Sequence, residues 1–139
     1  MKILFLDIDG VVNGDETLRR NRRHIDPQLA AIVRGILTAV PGLQLVLSSA
    51  WRYVAFGRRA VERRIAPCYD VTPTLHDTSL ERGHEIEAWL MEHPGVVRYA
   101  ILDDAPAMLP HQMPNVFLTS PETGITQEIA DRVVALFGS

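Results

Sequence analysis

Two aspartates one residue apart, Asp7 and Asp9, follow an apolar run at the start of the chain and precede Gly10. An apolar run bounded by a turn signal is typical of a strand buried in a parallel sheet. Two like charges at the end of such a strand are unfavourable unless a cation binds beside them. The pair therefore predicts a site for a divalent metal and a phosphoryl group. The alternative is a plain strand-ending turn, because Asp and Gly are common turn residues.

Other apolar runs in the chain also end in polar side chains that suit the same site. The predicted strands are 3–6, 43–47, 69–71, 99–102 and 116–118, of which 69–71 is the weakest. Ser48 and Ser49 end the second of these strands, and Asp103 and Asp104 end the fourth. Because the carboxyl ends of parallel strands meet at one edge of a sheet, we expect these residues to converge there.

Helical patterns separate the predicted strands. Apolar residues at spacings of three and four predict helices over 27–40, about 51–65, 82–90 and 129–137. Asp26 and Pro27 suit the start of the first helix, and Gly57 is a weak point within the second. Strands that alternate with helices predict an α/β fold, a three-layer, doubly wound, Rossmann-like and mostly parallel sheet of about five strands.

Length and composition narrow the class of protein. The 139 residues predict a single domain spanning 1–139, and a net charge of -3 gives no general attraction to nucleic acid or to membranes. The chain has one cysteine, no apolar stretch long enough to cross a bilayer and no secretory signal. These features predict a cytoplasmic protein without a membrane partner.

The motifs together resemble those of the haloacid dehalogenase (HAD) superfamily of phosphohydrolases. The segment 7–12 is similar to its first motif, Ser48 after a hydrophobic strand to its second, and the segment 101–104 to its fourth. The third motif needs one basic residue, normally Lys, and Arg82 is the best candidate. The segment 48–52, which reads Ser-Ser-Ala-Trp-Arg, also resembles a subgroup whose members occur in predicted RNA-repair proteins.

The resemblance implies a nucleophile, an acid/base group and a metal. Asp7 is the implied nucleophile, which forms an aspartyl-phosphate, and Asp9 the implied general acid and base. The implied cofactor is Mg²⁺, held by Asp7, the backbone carbonyl of Asp9 and one carboxylate of the late acidic pair. Asp104 is favoured as the direct ligand with Asp103 behind it, and the reverse assignment stays open.

The resemblance also implies groups that bind the phosphate. Ser48 donates a hydrogen bond to a phosphoryl oxygen, and Arg82 neutralises charge between Asp7 and the phosphate. The alternative for Arg82 is a solvated residue at the start of a helix. We further predict substrate contacts from Gly10, Ser49 and Arg52.

Neither of the two places where superfamily members insert cap domains has room for one. The segment between Asp9 and Ser48, and that between Ser49 and Arg82, each hold little more than a helix. A capless member with an open site is therefore expected. The insert 13–24 is the predicted flap beside the site, and it contains four arginines and His24. This basic run either holds a nucleic-acid backbone or is a solvated turn.

The sequence predicts a magnesium-dependent phosphomonoesterase whose partner is a phosphorylated small molecule or the phosphorylated end of a nucleic acid. One alternative is a phospho-receiver signalling domain, but a receiver has its acidic pair early and its phosphoacceptor late, which is the reverse of the order here. Another is a non-catalytic binder of phosphorylated nucleic acid. The sequence identifies neither the substrate nor the oligomeric state.

Overall fold

A computed structural model describes residues 1–15, 24–75 and 81–138. Its five strands form one sheet in the order β3-β2-β1-β4-β5, and every pair of neighbours is parallel. The strands are β1 (Lys2–Leu6), β2 (Leu43–Leu47), β3 (Asp70–Val71), β4 (Arg98–Asp103) and β5 (Val116–Leu118). All five correspond to predicted strands, and β1, four of whose five residues are buried, lies in the middle.

Helices connect the strands. The α-helices among the described residues are α1 (Pro27–Ala39), α2 (Ala55–Arg64), α3 (Glu81–Met91) and α4 (Gln127–Gly138). The described residues also include two 3₁₀-helices: Ala50–Tyr53 follows β2, and Pro110–Asn115 directly precedes β5. As expected, Asp26 caps α1: its carboxylate accepts the Gln28 N–H at 2.9 Å, and Pro27 is the first helical residue.

The sheet has a hydrophobic core on each face, which confirms the predicted three-layer fold. On one face, Leu4 and Leu6 of β1 pack with buried residues of α1, α2 and α4. On the other face, Ile3 and Phe5 pack against Ile86 and Trp89 of α3. Because successive side chains of a strand point to opposite faces, residue 7 is directed towards the α3 face, as Phe5 is.

The register of the sheet places four polar residues in one row. Leu6 pairs with Leu47 and with Leu102, and Leu47 pairs with Val71. The next row is Thr72, Ser48, Asp7 and Asp103, and backbone hydrogen bonds of 3.0–3.1 Å continue the ladder into it. The convergence of strand ends that the sequence predicts is therefore a direct consequence of this register.

The segment predicted as one helix over 51–65 is divided, so this prediction is wrong in part. The 3₁₀-helix ends at Tyr53, and α2 begins only at Ala55. Gly57 is buried, and a Cβ there would overlap the backbone carbonyl of Trp51. Gly57 therefore allows the 3₁₀-helix to lie against α2, a role in close packing rather than a weakness in the helix.

No cap domain is present in the described part of the chain. The arginines of the predicted flap, Arg19, Arg20, Arg22 and Arg23, lie outside the described residues. His24 is described, and its carbonyl accepts a hydrogen bond from Asn13. Among the described helices, none combines the length and apolarity that crossing a membrane requires.

Candidate active site

Arg82 joins the ends of the two central strands. Its Nη1 lies 3.3 Å from Asp7 Oδ1 and 2.6 Å from Asp103 Oδ2, and all three side chains are largely buried. Arg82 lies in the first turn of α3. This helix packs against β1 and β4 through the hydrophobic core that they share. The basic residue sought for the third motif thus lies in contact with the predicted nucleophile.

Three carboxylates, two of which contact this arginine, lie close together at this end of the sheet. Asp7, Asp103 and Asp104 each offer one oxygen, and the three oxygens lie within 4.8 Å of one another. Both carboxylate oxygens of Asp103 already accept hydrogen bonds, Oδ2 from Arg82 and Oδ1 from the Ala105 N–H at 3.0 Å. Asp104 is half-buried, and its carboxylate lies over Gly10, where a Cβ would overlap it.

The carboxylates disfavour one another's charged forms. Burial, and next the negative charge of Asp103, raise the pKa of Asp7 from 3.8 to about 8, although Arg82 opposes this shift. Burial also raises the pKa of Asp103. For Arg82, burial alone lowers the pKa, but Asp7 and Asp103 more than reverse this, and the guanidinium stays charged. The site holds more negative charge than one arginine balances, which favours binding of a cation.

Two buried hydroxyls of the polar row lack hydrogen-bond partners among the described residues. Ser48 Oγ and Thr72 Oγ1 are both enclosed, and neither finds a donor or acceptor there. A buried hydroxyl without a partner loses its hydrogen bonds with water, so such groups are rare unless something else binds them. The orphaned Ser48 hydroxyl, next to Asp7 in the row, fits a donor for a phosphoryl oxygen.

Gly10 forms the turn between Asp7 and the rest of the first motif. Its φ of +82° lies in the left-handed region, which favours glycine. Its N–H donates to Asn13 Oδ1 at 2.9 Å, and its carbonyl accepts the Thr119 hydroxyl at 2.6 Å. The turn is therefore held from both sides, by the first motif itself and by the residue that follows β5.

Asp9 lies beside this turn, and it is exposed to solvent. Its Oδ1 accepts two hydrogen bonds, from Asn13 Nδ2 at 3.0 Å and from the indole Nε1 of Trp51 at 3.1 Å. Trp51 is only 8% exposed and belongs to the hydrophobic core. The two aspartates of the first motif thus differ in environment: Asp7 is enclosed with other charges, and Asp9 is exposed to solvent.

The geometry does not support the substrate contact predicted for Arg52. Its guanidinium is buried and forms an ion pair with Glu85 at 2.9 Å. It also donates to the carbonyls of Ser48, Ser49 and Thr72 at 2.8–3.1 Å. With its donors directed at protein oxygens, Arg52 ties the ends of β2 and β3 to α3 instead of reaching a substrate.

Gly10 and Ser49, the other two residues predicted to contact substrate, lie at the site, and Ser49 also caps a helix. The Ser49 hydroxyl oxygen accepts the Trp51 N–H at 3.1 Å and so caps the 3₁₀-helix. The sequence does not assign a role at the site to four residues that the structure places there: Asn13, Trp51, Thr72 and Thr119. All four lie within or directly after a recognised motif or predicted strand, so their position is the available signal. Nothing in the sequence pairs Asn13, Trp51 or Thr119 with Asp9 or Gly10.

A family model described as the HAD domain in Swiss Army Knife RNA repair proteins matches residues 3–130. This match covers almost the whole chain, and the chain therefore belongs to that family. The family confirms the resemblance drawn from the motifs and supports a HAD-type hydrolase. No curated protein and no solved structure matches the chain.

We expect Arg52→Met to destabilise the fold, because it leaves the buried Glu85 carboxylate without its ion-pair partner. Removing one member of a buried pair typically lowers the free energy of unfolding by about 3–5 kcal/mol. Urea denaturation measures this loss. Arg59→Met, at an exposed position of α2, is the control and is expected to change stability by less than about 0.5 kcal/mol. An equal, small loss in both variants would contradict the role given to Arg52.

We also expect Asp7 to make stability depend on pH in the metal-free protein. The unfolded chain releases the Asp7 proton near the ordinary pKa of 3.8, whereas the folded protein keeps it up to about 8. Because the native state binds more protons between these values, stability falls as pH rises through that interval, by at most about 1.4 kcal/mol per pH unit.

Asp7→Asn removes this dependence. The free energy of unfolding of Asp7→Asn minus that of the wild type should therefore increase with pH. It should be smallest at the acidic end of the interval and largest above the pKa of Asp7 in the folded protein. Denaturation at a series of pH values, with a chelator present, measures the difference. Asp131→Asn, an exposed carboxylate on α4, is the control. A difference between Asp7→Asn and wild type that stays constant with pH would contradict the buried, raised-pKa environment of Asp7.

Proposed function

We propose that this chain is a magnesium-dependent phosphomonoesterase that acts through an aspartyl-phosphate on Asp7. The observation that carries the proposal is the position of Asp7. Its carboxylate lies 3.3 Å from the Arg82 guanidinium and close to two further carboxylates. Its neighbour in the row of strand-end residues is Ser48, whose hydroxyl has no hydrogen-bond partner among the described residues. Membership of a HAD family supports hydrolase chemistry at this site.

The residues present fit a magnesium ion. Mg²⁺ prefers oxygen ligands and commonly uses one or two carboxylates together with substrate phosphate and water. Asp7 and Asp104 are the proposed direct ligands, with the Asp9 carbonyl as a third, while Asp103 is already engaged by Arg82 and the Ala105 N–H. When bound, the ion neutralises phosphate charge and keeps Asp7 ionised despite its raised pKa.

Asp7 attacks phosphorus, and the groups around it hold the phosphate. The Arg82 guanidinium offsets negative charge that accumulates as the Asp7 carboxylate and the phosphate approach each other. The Ser48 hydroxyl donates to a phosphoryl oxygen. Asp9 protonates the leaving oxygen and later accepts a proton from the water that hydrolyses the aspartyl-phosphate.

We propose the phosphorylated end of a nucleic-acid strand as the substrate class. The family is described from RNA repair proteins. Two aromatic side chains, Tyr53 at 55% and Phe56 at 47%, are exposed on the segment that directly follows Ser49. Exposed aromatics stack on bases without sequence preference, and the absence of a cap in the described residues leaves room for a polymer.

We expect the wild-type protein to hydrolyse para-nitrophenyl phosphate when Mg²⁺ is supplied, and Asp7→Asn to lose this activity by about 10³-fold or more, because the nucleophile is gone. Release of para-nitrophenolate measures the rate, and chelation of Mg²⁺ should abolish it. Asp131→Asn again serves as the control. Retained turnover in Asp7→Asn would defeat the mechanism.

Arg82 is tested in the same assay. Arg82→Ala should lower turnover strongly, and Arg82→Lys should retain more of it, because it keeps the positive charge. Near-normal activity of Arg82→Ala would remove this residue from the mechanism. Rapid labelling of the wild type by acetyl phosphate, with a long-lived phosphorylated product, would instead favour the receiver function.

We expect kcat/KM to be higher for oligonucleotides that carry a 3′- or 5′-phosphate than for the matching mononucleotides. Phe56→Ala should lower kcat/KM for the oligonucleotide about tenfold, since one base loses its stacking partner, and leave para-nitrophenyl phosphate hydrolysis unchanged. Met91→Ala, an exposed apolar residue at the far end of α3, is the control. Equal rates for oligonucleotide and mononucleotide would contradict this substrate class, and binding without turnover would favour the non-catalytic binder.

A further inference from the structure

Hydrogen bonds from the described residues reach one of the two carboxylate oxygens of Asp9 and not the other. Asn13 Nδ2 and Trp51 Nε1 both donate to Oδ1, at 3.0 and 3.1 Å. Oδ2 accepts no hydrogen bond from the described residues, and Asp9 is exposed to solvent. We infer that Trp51 and Asn13 are positioning residues, which fix Asp9 so that Oδ2 is the oxygen that transfers the proton.

The indole of Trp51 is well immobilised for this task. The 3₁₀-helix that carries it begins at the Ser49 cap, where the Trp51 N–H donates to the serine hydroxyl oxygen. Gly57 of α2 lies directly against the Trp51 carbonyl, and the ring is packed in the core. A donor held by its own backbone and by core packing keeps its direction without further ordering of the chain.

Asn13 is fixed in the same way from the other side. It is fully buried, its Oδ1 accepts the Gly10 N–H, and its Nδ2 is shared between Asp9 Oδ1 and the His24 carbonyl. The two donors come from segments far apart in the sequence: Asn13 directly follows the first motif, and Trp51 lies in the 3₁₀-helix after β2. Their meeting on one oxygen therefore depends on the docking of these segments and links the two motifs.

The chemistry follows from which oxygen is free. A carboxylic acid carries its proton on one oxygen, and two N–H groups pointing at Oδ1 leave Oδ2 for it. In the first step a bond forms from Asp7 to phosphorus, the bond from phosphorus to the leaving oxygen breaks, and the Oδ2 proton moves to that oxygen. In the second step water attacks phosphorus, its proton moves to Oδ2, and Asp7 leaves as a carboxylate.

This inference rests on the proposed function, and Trp51→Phe tests it, because phenylalanine keeps an aromatic ring in the core and lacks the N–H. We compare kcat/KM for phenyl phosphate and for para-nitrophenyl phosphate. Phenolate is the more basic leaving group and needs protonation, whereas para-nitrophenolate leaves readily as an anion. We expect a loss of about tenfold for phenyl phosphate and of less than about threefold for para-nitrophenyl phosphate.

The chain supplies a matched control in Trp89, a second buried tryptophan whose Nε1 donates to a carboxylate, Asp70 Oδ2, at 2.8 Å. Trp89→Phe removes the same kind of hydrogen bond outside the site, and it should leave the ratio of the two kcat/KM values unchanged. In an Asp9→Ala background, Trp51→Phe should have no further effect on that ratio, because Trp51 acts through Asp9.

A second readout does not depend on activity. The chain has two tryptophans, so its ¹⁵N–¹H spectrum contains two indole N–H signals, and Trp51→Phe identifies one of them. Asp9→Ala should move the Trp51 signal and leave that of Trp89 in place. An unmoved Trp51 signal would overturn the inference.

The kinetic outcomes separate the two proposals. If the wild type hydrolyses both substrates and needs Asp7, but Trp51→Phe lowers both kcat/KM values equally or not at all, the inference is wrong and the proposed function stands. If the wild type hydrolyses neither substrate, the proposed function fails, and with it the proton transfer assigned to Oδ2.

Discussion

The concentration of negative charge around Asp7 is the constraint on which the rest of the site depends. Three carboxylates share a space in which their oxygens lie within 4.8 Å, and one buried guanidinium, that of Arg82, offsets part of their charge. Such an arrangement is unfavourable in a folded protein unless a bound cation or ligand offsets the charge. Burial, and next the negative charge of Asp103, raise the pKa of Asp7 and so disfavour its charged form.

The scaffold tolerates that cost because the site is built on strand ends and not on loops alone. The parallel register places Asp7, Ser48 and Asp103 in one row, and the ladder of backbone hydrogen bonds extends into this row. The buried ion pair of Arg52 with Glu85 then ties the strand ends to α3, the helix that carries Arg82. Positioning and electrostatics are thus supplied by the same few elements.

Much of the fold was accessible from local pattern. Every strand of the sheet and the helices α1, α3 and α4 lie where apolar periodicity places them, because burial on one or two faces leaves a direct trace in the sequence. The division of the segment 51–65 was not accessible, since it depends on the contact between Gly57 and the Trp51 carbonyl. The ion pair of Arg52 was not accessible for the same reason, because its partner Glu85 is remote in the chain and an arginine beside a motif resembles a ligand-binding residue.

The sequence by itself determined the fold class, the family and the residue types at the site, because strand-end motifs and their order are properties of the chain. Only the tertiary structure decided how the two aspartates of the first motif differ. Asp7 is enclosed with Arg82 and other carboxylates, whereas Asp9 is held on one oxygen by Asn13 and Trp51. That difference arises from long-range docking of a 3₁₀-helix against the first motif, and no spacing of residues along the chain encodes it.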